Sequence, residues 1–308
     1  MKIAIVGAGA MGGMLAAKLA QSGNNVILVD VSSILVEHIN EHGLVVDTKN
    51  VGIKTSRIVA TAEPGSCEVQ DAVIFFVKAQ HTAAAATSAI PLVGPNTTIV
   101  SLQNGWGNAD VLAETYSAEQ IVVGVTYHSA TVLALGKVAH TGMGATFIGP
   151  YVDGTAIVPA ERMGQVLNEC GLETTVTPLV KTEIWKKLIL NSAALPTSAL
   201  TGLCAGALGE SGPTLDLVDE LAKEAVSVAR LLGYEIELED RILQIHTILR
   251  NAGKGRASML QDAEAKRKTE IEVVNGAVVR AAEKLGVPVP LNKAMIALIA
   301  GLERSWHQ

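Results

Sequence analysis

The sequence predicts an α/β chain in which a doubly wound parallel sheet is followed by an all-helical domain. Three features carry that prediction. Short β-branched runs alternate with Ala-rich stretches from residue 1 to about 150, the pattern of parallel strands joined by crossover helices. Beyond Pro178 the apolar period becomes helical and stays so through Leu302. With 308 residues the chain has room for two cores, since a domain takes roughly 100–200 residues. The expected domains are 1–178 and 179–308.

Lys2–Val6 is the first expected strand, and it runs into a helix that Gly23 ends. Asn25–Val29, Ala72–Val77, Thr98–Leu102 and Ile121–Tyr127 read as further strands. Residues 131–149, rich in Gly and Thr with alternating apolar side chains, read as hairpin strands closing the same sheet. In the second half one helix carries Glu183–Asn191, and another is expected from about Ser258 to Leu285. No repeat of 20–50 residues is present, and the Ala83–Ala86 run reads as ordinary helix.

Composition narrows the function. Hydrophobic residues make up 49% and charged residues 18%, which excludes a disordered chain. A net charge of -6 opposes a polyanion, and ten aromatics (three Trp, four Tyr, three Phe) offer little base stacking, so nucleic acid is not an expected partner. Mean hydropathy is +0.34, yet the most apolar late stretch, Leu188–Leu208, contains Asn191, Pro196 and several Gly, so no membrane span is expected. Cys67, Cys170 and Cys204 are odd in number and lack metal-ligand spacing. With no secretory signal read at the N-terminus, a cytoplasmic protein without metal is expected.

The first strand ends in Gly7-Ala8-Gly9-Ala10-Met11-Gly12, and a helix opens at once. In that context the first Gly permits a tight turn, the second lets backbone approach a pyrophosphate, and the third allows close helix packing. Phosphate would rest on the helix N-terminus, formed by Gly9, Ala10 and Met11. The N-terminal domain is therefore expected to be of Rossmann type and to bind a nicotinamide dinucleotide. Asp30 closes the second strand eighteen positions beyond Gly12. Its carboxylate there would accept from both ribose hydroxyls and repel a 2'-phosphate by about 1–4 kcal/mol at 4 Å, which favours NAD over NADP. The alternative is an Asp30 that faces solvent or caps the segment at Ser32 and Ser33.

Drawn at 100° per residue, the helix of Glu183–Asn191 places Lys187 and Asn191 on the face of Val180, Ile184 and Leu188. Lys187 either snorkels with help from Glu183 at i,i+4, or lines a ligand cleft with its pKa lowered toward proton-transfer range. On the later expected helix, Glu270 falls within the stripe of Leu260, Ala263, Val274, Ala277, Ala281 and Leu285. An Arg267–Glu270 pair at i,i+3 is the structural alternative. Ser258 and Gln261 have capping-box spacing, so Ser258 is either an N-cap or a carboxylate site. Lys78 and Asn104-Gly105 follow expected strands at the edge where open α/β sheets bind ligands, each with a plain turn as alternative. His128 and His140 suggest no acid–histidine–nucleophile set.

With Gly7–Gly12, Val77-Lys78-Ala79, Gln103-Asn104-Gly105, Trp185-Lys186-Lys187-Leu188 plus Asn191, Ser258-Met259-Leu260-Gln261-Asp262, and Thr269-Glu270-Ile271 plus Asn275-Gly276, the chain resembles the ketopantoate reductase (2-dehydropantoate 2-reductase) family along nearly its whole length. The resemblance implies that Lys187 is the catalytic lysine, donating a proton to the 2-oxo oxygen as hydride reaches the carbon. It implies that Asn104 and Asn191 position lysine and substrate, that Glu270 holds the lysine or a substrate hydroxyl, and that Ser258 binds the carboxylate. It also implies a homodimer.

The chain departs from the family pattern where Leu195 and Gly255 replace common polar residues, which would favour a more apolar branched acid. Val31 stands where many members carry an arginine for the 2'-phosphate, while Lys78 leaves NADP possible. The expected activity is NAD(P)H-dependent reduction of a branched 2-oxo acid to the (R)-2-hydroxy acid, with 2-dehydropantoate to pantoate as the type reaction. The rivals are an NAD-dependent D-2-hydroxyacid dehydrogenase for more apolar acids and a nicotinamide-sensing regulator without turnover. An opine or 3-hydroxyacid dehydrogenase would need a different basic residue.

Overall fold

The computed structural model describes residues 1–306. The chain divides into two compact units, one of Met1–Gln103 and Asn108–Val180, the other of Asn104–Gly107 and the chain from Lys181 onward. The first unit is the α/β domain and the second is helical.

The first unit alternates strands with helices from its N-terminus: β1 (Lys2–Val6), α1 (Ala10–Gln21), β2 (Asn25–Val29), α2 (Ser33–His42), β3 (Leu44–Thr48), β4 (Gly52–Ser56), β5 (Val59–Thr61), β6 (Ala72–Phe75), α3 (Thr82–Ala89), β7 (Thr98–Ser101) and α4 (Asn108–Ala113). It continues through β8 (Ile121–Thr126), β9 (Ser129–Ala134), β10 (Lys137–Gly142), β11 (Thr146–Pro150), α5 (Val158–Glu169) and β12 (Thr174–Val176). The main sheet has the order β12-β11-β8-β7-β6-β1-β2-β5. Its pairs are parallel except β8–β11. Ile3, Ile5, Leu28, Ile74 and Val100 are buried in it with Met14, Leu15 and Leu19 of α1. Each such side chain contributes roughly 1.5–3 kcal/mol on burial.

Register decides what meets at the sheet edge. Val6 lies opposite Val29 on one side and Phe75 on the other. The loops after β1, β2 and β6 therefore leave the sheet together, where the strand order reverses beside β1. Three expected strands end early, at Phe75, Ser101 and Thr126. Past the strand of Ala72, Phe76 N still donates to Val6 O at 2.9 Å, and the Val77 carbonyl accepts from Gln103 Nε2 at 2.8 Å.

The expected hairpin does not close the main sheet. β9 and β10 form a separate sheet of order β4-β3-β10-β9, and only β11 joins the main one. The second sheet covers α1: a Cβ on Gly13 would stand 3.5 Å from Val138 Cγ1 and 3.7 Å from Leu44 Cδ1.

The helical unit consists of α6 (Val180–Thr201), α7 (Ala205–Leu208), α8 (Pro213–Leu231), α9 (Leu238–Ala252), α10 (Ser258–Glu264), α11 (Asn275–Leu285) and α12 (Pro290–Ser305). Proline opens α8 and α12, where its missing N–H is no loss. Leu215, Val218, Leu221, Ala222, Ala225, Val226 and Ala229 give α8 one buried stripe. The single helix expected over Ser258–Leu285 is broken instead. Ala265 caps α10, Lys266 takes φ 50°, and a short 3-10 turn at Ile271–Val273 precedes α11. Among the described residues, no helix is long and apolar enough to cross a membrane.

Candidate active site

Two constellations stand out, one within each unit. In the first, the turn after β1 is built by glycines. Gly7 has φ 107°, and a Cβ on it would lie 2.9 Å from Val77 N. A Cβ on Gly12 would lie 1.9 Å from the Gly7 carbonyl oxygen, so both positions exclude any side chain. Gly9 faces open space within 4 Å. It is the N-cap of α1, with no side-chain cap and no acidic residue in the helix's first turn, where Ala10 and Met11 follow. These unpaired N–H groups behind an open backbone face suit a diphosphate.

Asp30 is drawn into this turn. Its Oδ2 accepts from Ala8 N at 2.8 Å and its Oδ1 from Ser32 N at 3.0 Å, while Ser32, not Asp30, caps α2 through Leu35 N at 3.3 Å. The carboxylate thus does not turn to solvent, and it keeps lone pairs for hydroxyl donors. Val31 is 97% exposed and brings no cation beside it. Lys78 leaves the end of β6 directly after Val77, which abuts Gly7.

In the helical unit three segments converge. Lys187 Nζ donates to Asn104 Oδ1 at 2.9 Å. Asn104 belongs to the short segment that joins this unit, and that segment is pinned to the turn after Glu270: Trp106 N donates to Val273 O at 2.9 Å. Gly105, at φ 85°, is a third obligatory glycine, because a Cβ there would stand 2.4 Å from Val273 O. Trp106 packs on Trp185 and Tyr234 with ring centroids 5.7 and 6.2 Å away, which anchors the segment that carries Asn104.

Burial pushes the Lys187 ammonium down to about 8, and the Glu270 carboxylate acts against that shift. Glu183 pairs with Lys186 at 2.8 Å rather than with Lys187. Asn191, one turn on, is 7% exposed, and its side-chain amide has no protein partner among the described residues. Such a group calls for a polar ligand.

Glu270 comes within electrostatic range of Lys187 by a route other than the expected helix face. It precedes the 3-10 turn and lies on no helix, so the face argument that singled it out does not hold. Its backbone is set by Thr269, whose N and Oγ1 both donate to Glu303 Oε1 of α12, at 2.8 and 2.7 Å. Arg267 pairs with Asp262 at 3.2 Å and not with Glu270. Ser258 is not an N-cap. Ala257 holds that place, Gln261 Nε2 donates to Arg256 O, and the exposed Ser258 hydroxyl is uncommitted among the described residues. Leu195 packs against the apolar cluster of Ala199, Met259, Ile271 and Ile299. Gly255 lies in the exposed turn before α10.

Sequence reasoning missed Trp106, Tyr234, Val273 and Glu303. Gly105-Trp106-Gly107 was the available signal: an aromatic between two glycines marks a loop shaped to hold one side chain.

The family description "Ketopantoate reductase PanE/ApbA" matches residues 3–153, and its C-terminal counterpart matches residues 179–303. A 2-dehydropantoate 2-reductase of Pyrococcus abyssi is 33% identical over 304 residues, 98% of each chain. That of Archaeoglobus fulgidus is 30% identical over 303 residues, again 98% of each. Among solved structures, a D-mandelate dehydrogenase in a ternary complex with NADH and anilino(oxo)acetate superposes with TM-score 0.95 at 27% identity, over 100% of both chains. A PanE/ApbA family ketopantoate reductase from Ralstonia eutropha JMP134 does so with TM-score 0.89 at 30% identity, also over 100% of both.

Proposed function

Since the chain belongs to the ketopantoate reductase family, we propose that it catalyses NAD(P)H-dependent reduction of a branched 2-oxo acid to the (R)-2-hydroxy acid, of the 2-dehydropantoate to pantoate type. One observation carries the reading: a half-buried ammonium, Lys187, held by Asn104 and under the charge of Glu270.

A nicotinamide dinucleotide, when bound, supplies the hydride for the 2-oxo carbon. Gly7, Gly9, Ala10, Met11 and Gly12 would hold its diphosphate, with Asp30 at the ribose and Lys78 nearby. Lys187 stabilises the negative charge growing on the carbonyl oxygen and donates the proton that completes the hydroxyl. The resulting neutral amine regains its proton from solvent. Asn104 fixes the ammonium's direction, Glu270 keeps it charged, and the free amide of Asn191 binds the substrate. Ser258 takes the carboxylate.

Asp30 supports a preference for NADH. A 2'-phosphate 4 Å from its carboxylate would be repelled by about 4 kcal/mol at an effective dielectric of 20. A second reading, preference for a more apolar branch on the acid, is favoured by Leu195 in its apolar cluster: a substrate hydroxyl left there without a partner costs roughly 1–3 kcal/mol. The regulatory reading would give the Lys187 arrangement no task. The reading includes a homodimer, as the resemblance implies.

Loss of NADH and of NADPH absorbance over a panel of 2-oxo acids tests all of this. Turnover of branched acids with at least tenfold better kcat/KM for NADH is expected. No turnover of any 2-oxo acid would refute the activity, and a tenfold preference for NADPH would refute the role of Asp30.

A further inference from the structure

Helix α6, which carries Lys187 and Asn191, has a proline in its interior at Pro196. Proline has no N–H, so the carbonyl four residues earlier, that of Ser192, loses its place in the helical ladder. Ser192 is fully buried, and a buried carbonyl needs a donor. That donor comes from the other side of the site: Asn275 Nδ2 donates to Ser192 O at 2.8 Å.

The same amide donates to Asn292 Oδ1 at 3.0 Å, and both asparagines are 0% exposed. Which way the two amides face is dictated from the far end of the chain of bonds. The Glu224 carboxylate accepts from Leu291 N, Asn292 N and Asn292 Nδ2, all at 2.8–2.9 Å. Asn292 must therefore present its oxygen to Asn275, and Asn275 its nitrogen to Asn292 and Ser192. Asn275 opens α11 directly after the turn that begins at Glu270. One amide thus ties the break in the lysine's helix to the segment holding the carboxylate.

We propose that Asn275 is a positioning residue of the reaction: by capping the Ser192 carbonyl that Pro196 leaves open, it fixes helix α6 relative to the Glu270 turn. The proposal rests on the reductase reading for its meaning in catalysis, but its geometry is testable without turnover. Asn275 touches neither Lys187 nor Glu270, and acts through the spacing of the two elements. Loosening that spacing weakens the hold of Glu270 on the ammonium, which burial then discharges more readily.

The test is titration of the Lys187 side-chain amine by NMR in the full chain, using isotope-labelled lysine and Lys187→Ala to assign the signal. In Asn275→Ala the titration is expected to move at least half a pH unit below wild type. In Asn275→Ala/Pro196→Ala it is expected to stay low, because an N–H at residue 196 satisfies the Ser192 carbonyl within α6 without restoring the tie to the Glu270 turn. An unshifted titration in folded Asn275→Ala would overturn the proposal, as would a shift that the double variant reverses, since the open carbonyl and not the tie would then be responsible. Where Asn275→Ala does not fold, the double variant is compared with Pro196→Ala: a lower titration than in Pro196→Ala supports the proposal, and an equal one overturns it. Absence of activity on every 2-oxo acid would sink the reductase reading and leave these outcomes readable.

Discussion

Lys187 sits at a balance between two forces of opposite sign. Burial lowers its pKa and Glu270 raises it, and the result, about 8, lies close to working pH. The direction of the pH dependence follows. Reduction requires the protonated amine, so kcat for 2-oxo acid reduction should be high below about 8 and fall as pH rises through it, while oxidation of the hydroxy acid should rise. Lys187→Ala should lower turnover by three orders of magnitude or more while NADH titration by fluorescence stays near wild type. At Gly105, Ala must accept both φ 85° and a Cβ 2.4 Å from Val273 O. We expect Gly105→Ala to lower kcat at least tenfold through a displaced Asn104, with a lower melting temperature. Of these residues the sequence shows Lys187 by its place on an apolar face, whereas the face argument for Glu270 rests on a helix that the chain does not form.

At the scale of elements, that helix fails at Ala265-Lys266-Arg267, which contains neither Gly nor Pro. The turn there is closed locally, by Arg267 N on Asp262 O and by the Arg267–Asp262 pair, and is held from a distance by Thr269 on Glu303, a contact that no local pattern encodes. Glu303→Ala leaves two donors of Thr269 without their acceptor, so a loss of about 1–3 kcal/mol in urea unfolding is expected, along with reduced kcat. The parallel strands were legible because each is a short β-branched run between turn signals. The second sheet was not, since β4 is almost wholly exposed and β3 pairs with β10, some ninety residues away in sequence. Pairing at such range leaves no periodic trace, and the hairpin was assigned to the wrong sheet for that reason.

For the molecule as a whole, the second sheet has a thermodynamic signature. His128 Nδ1 and His140 Nε2 are 2.9 Å apart and both rings are buried. Burial, with the charge of a protonated neighbour, pulls His128 down to about 4 from an ordinary 6.5. An unfolded histidine takes up its proton near 6.5 and the folded one only near 4, so stability is complete above 6.5 and declines as pH falls toward 4. His128 alone contributes about 3 kcal/mol to that decline, and His140, lowered by the same burial, acts in the same direction. Urea unfolding at pH 7 and pH 4.5 measures it, and His128→Gln should flatten the difference.

The chain's threading limits how the molecule can be taken apart. Asn104–Gly107 counts with the helical unit although both of its flanks belong to the α/β unit. Scission between Val180 and Lys181 would therefore yield two fragments, neither a whole unit: the carboxy-terminal piece keeps Lys187 yet forfeits the amide that steers it. Any split-protein reporter or domain exchange cut at that junction inherits the defect, and recovery would demand that the amino-terminal piece return those four residues in trans.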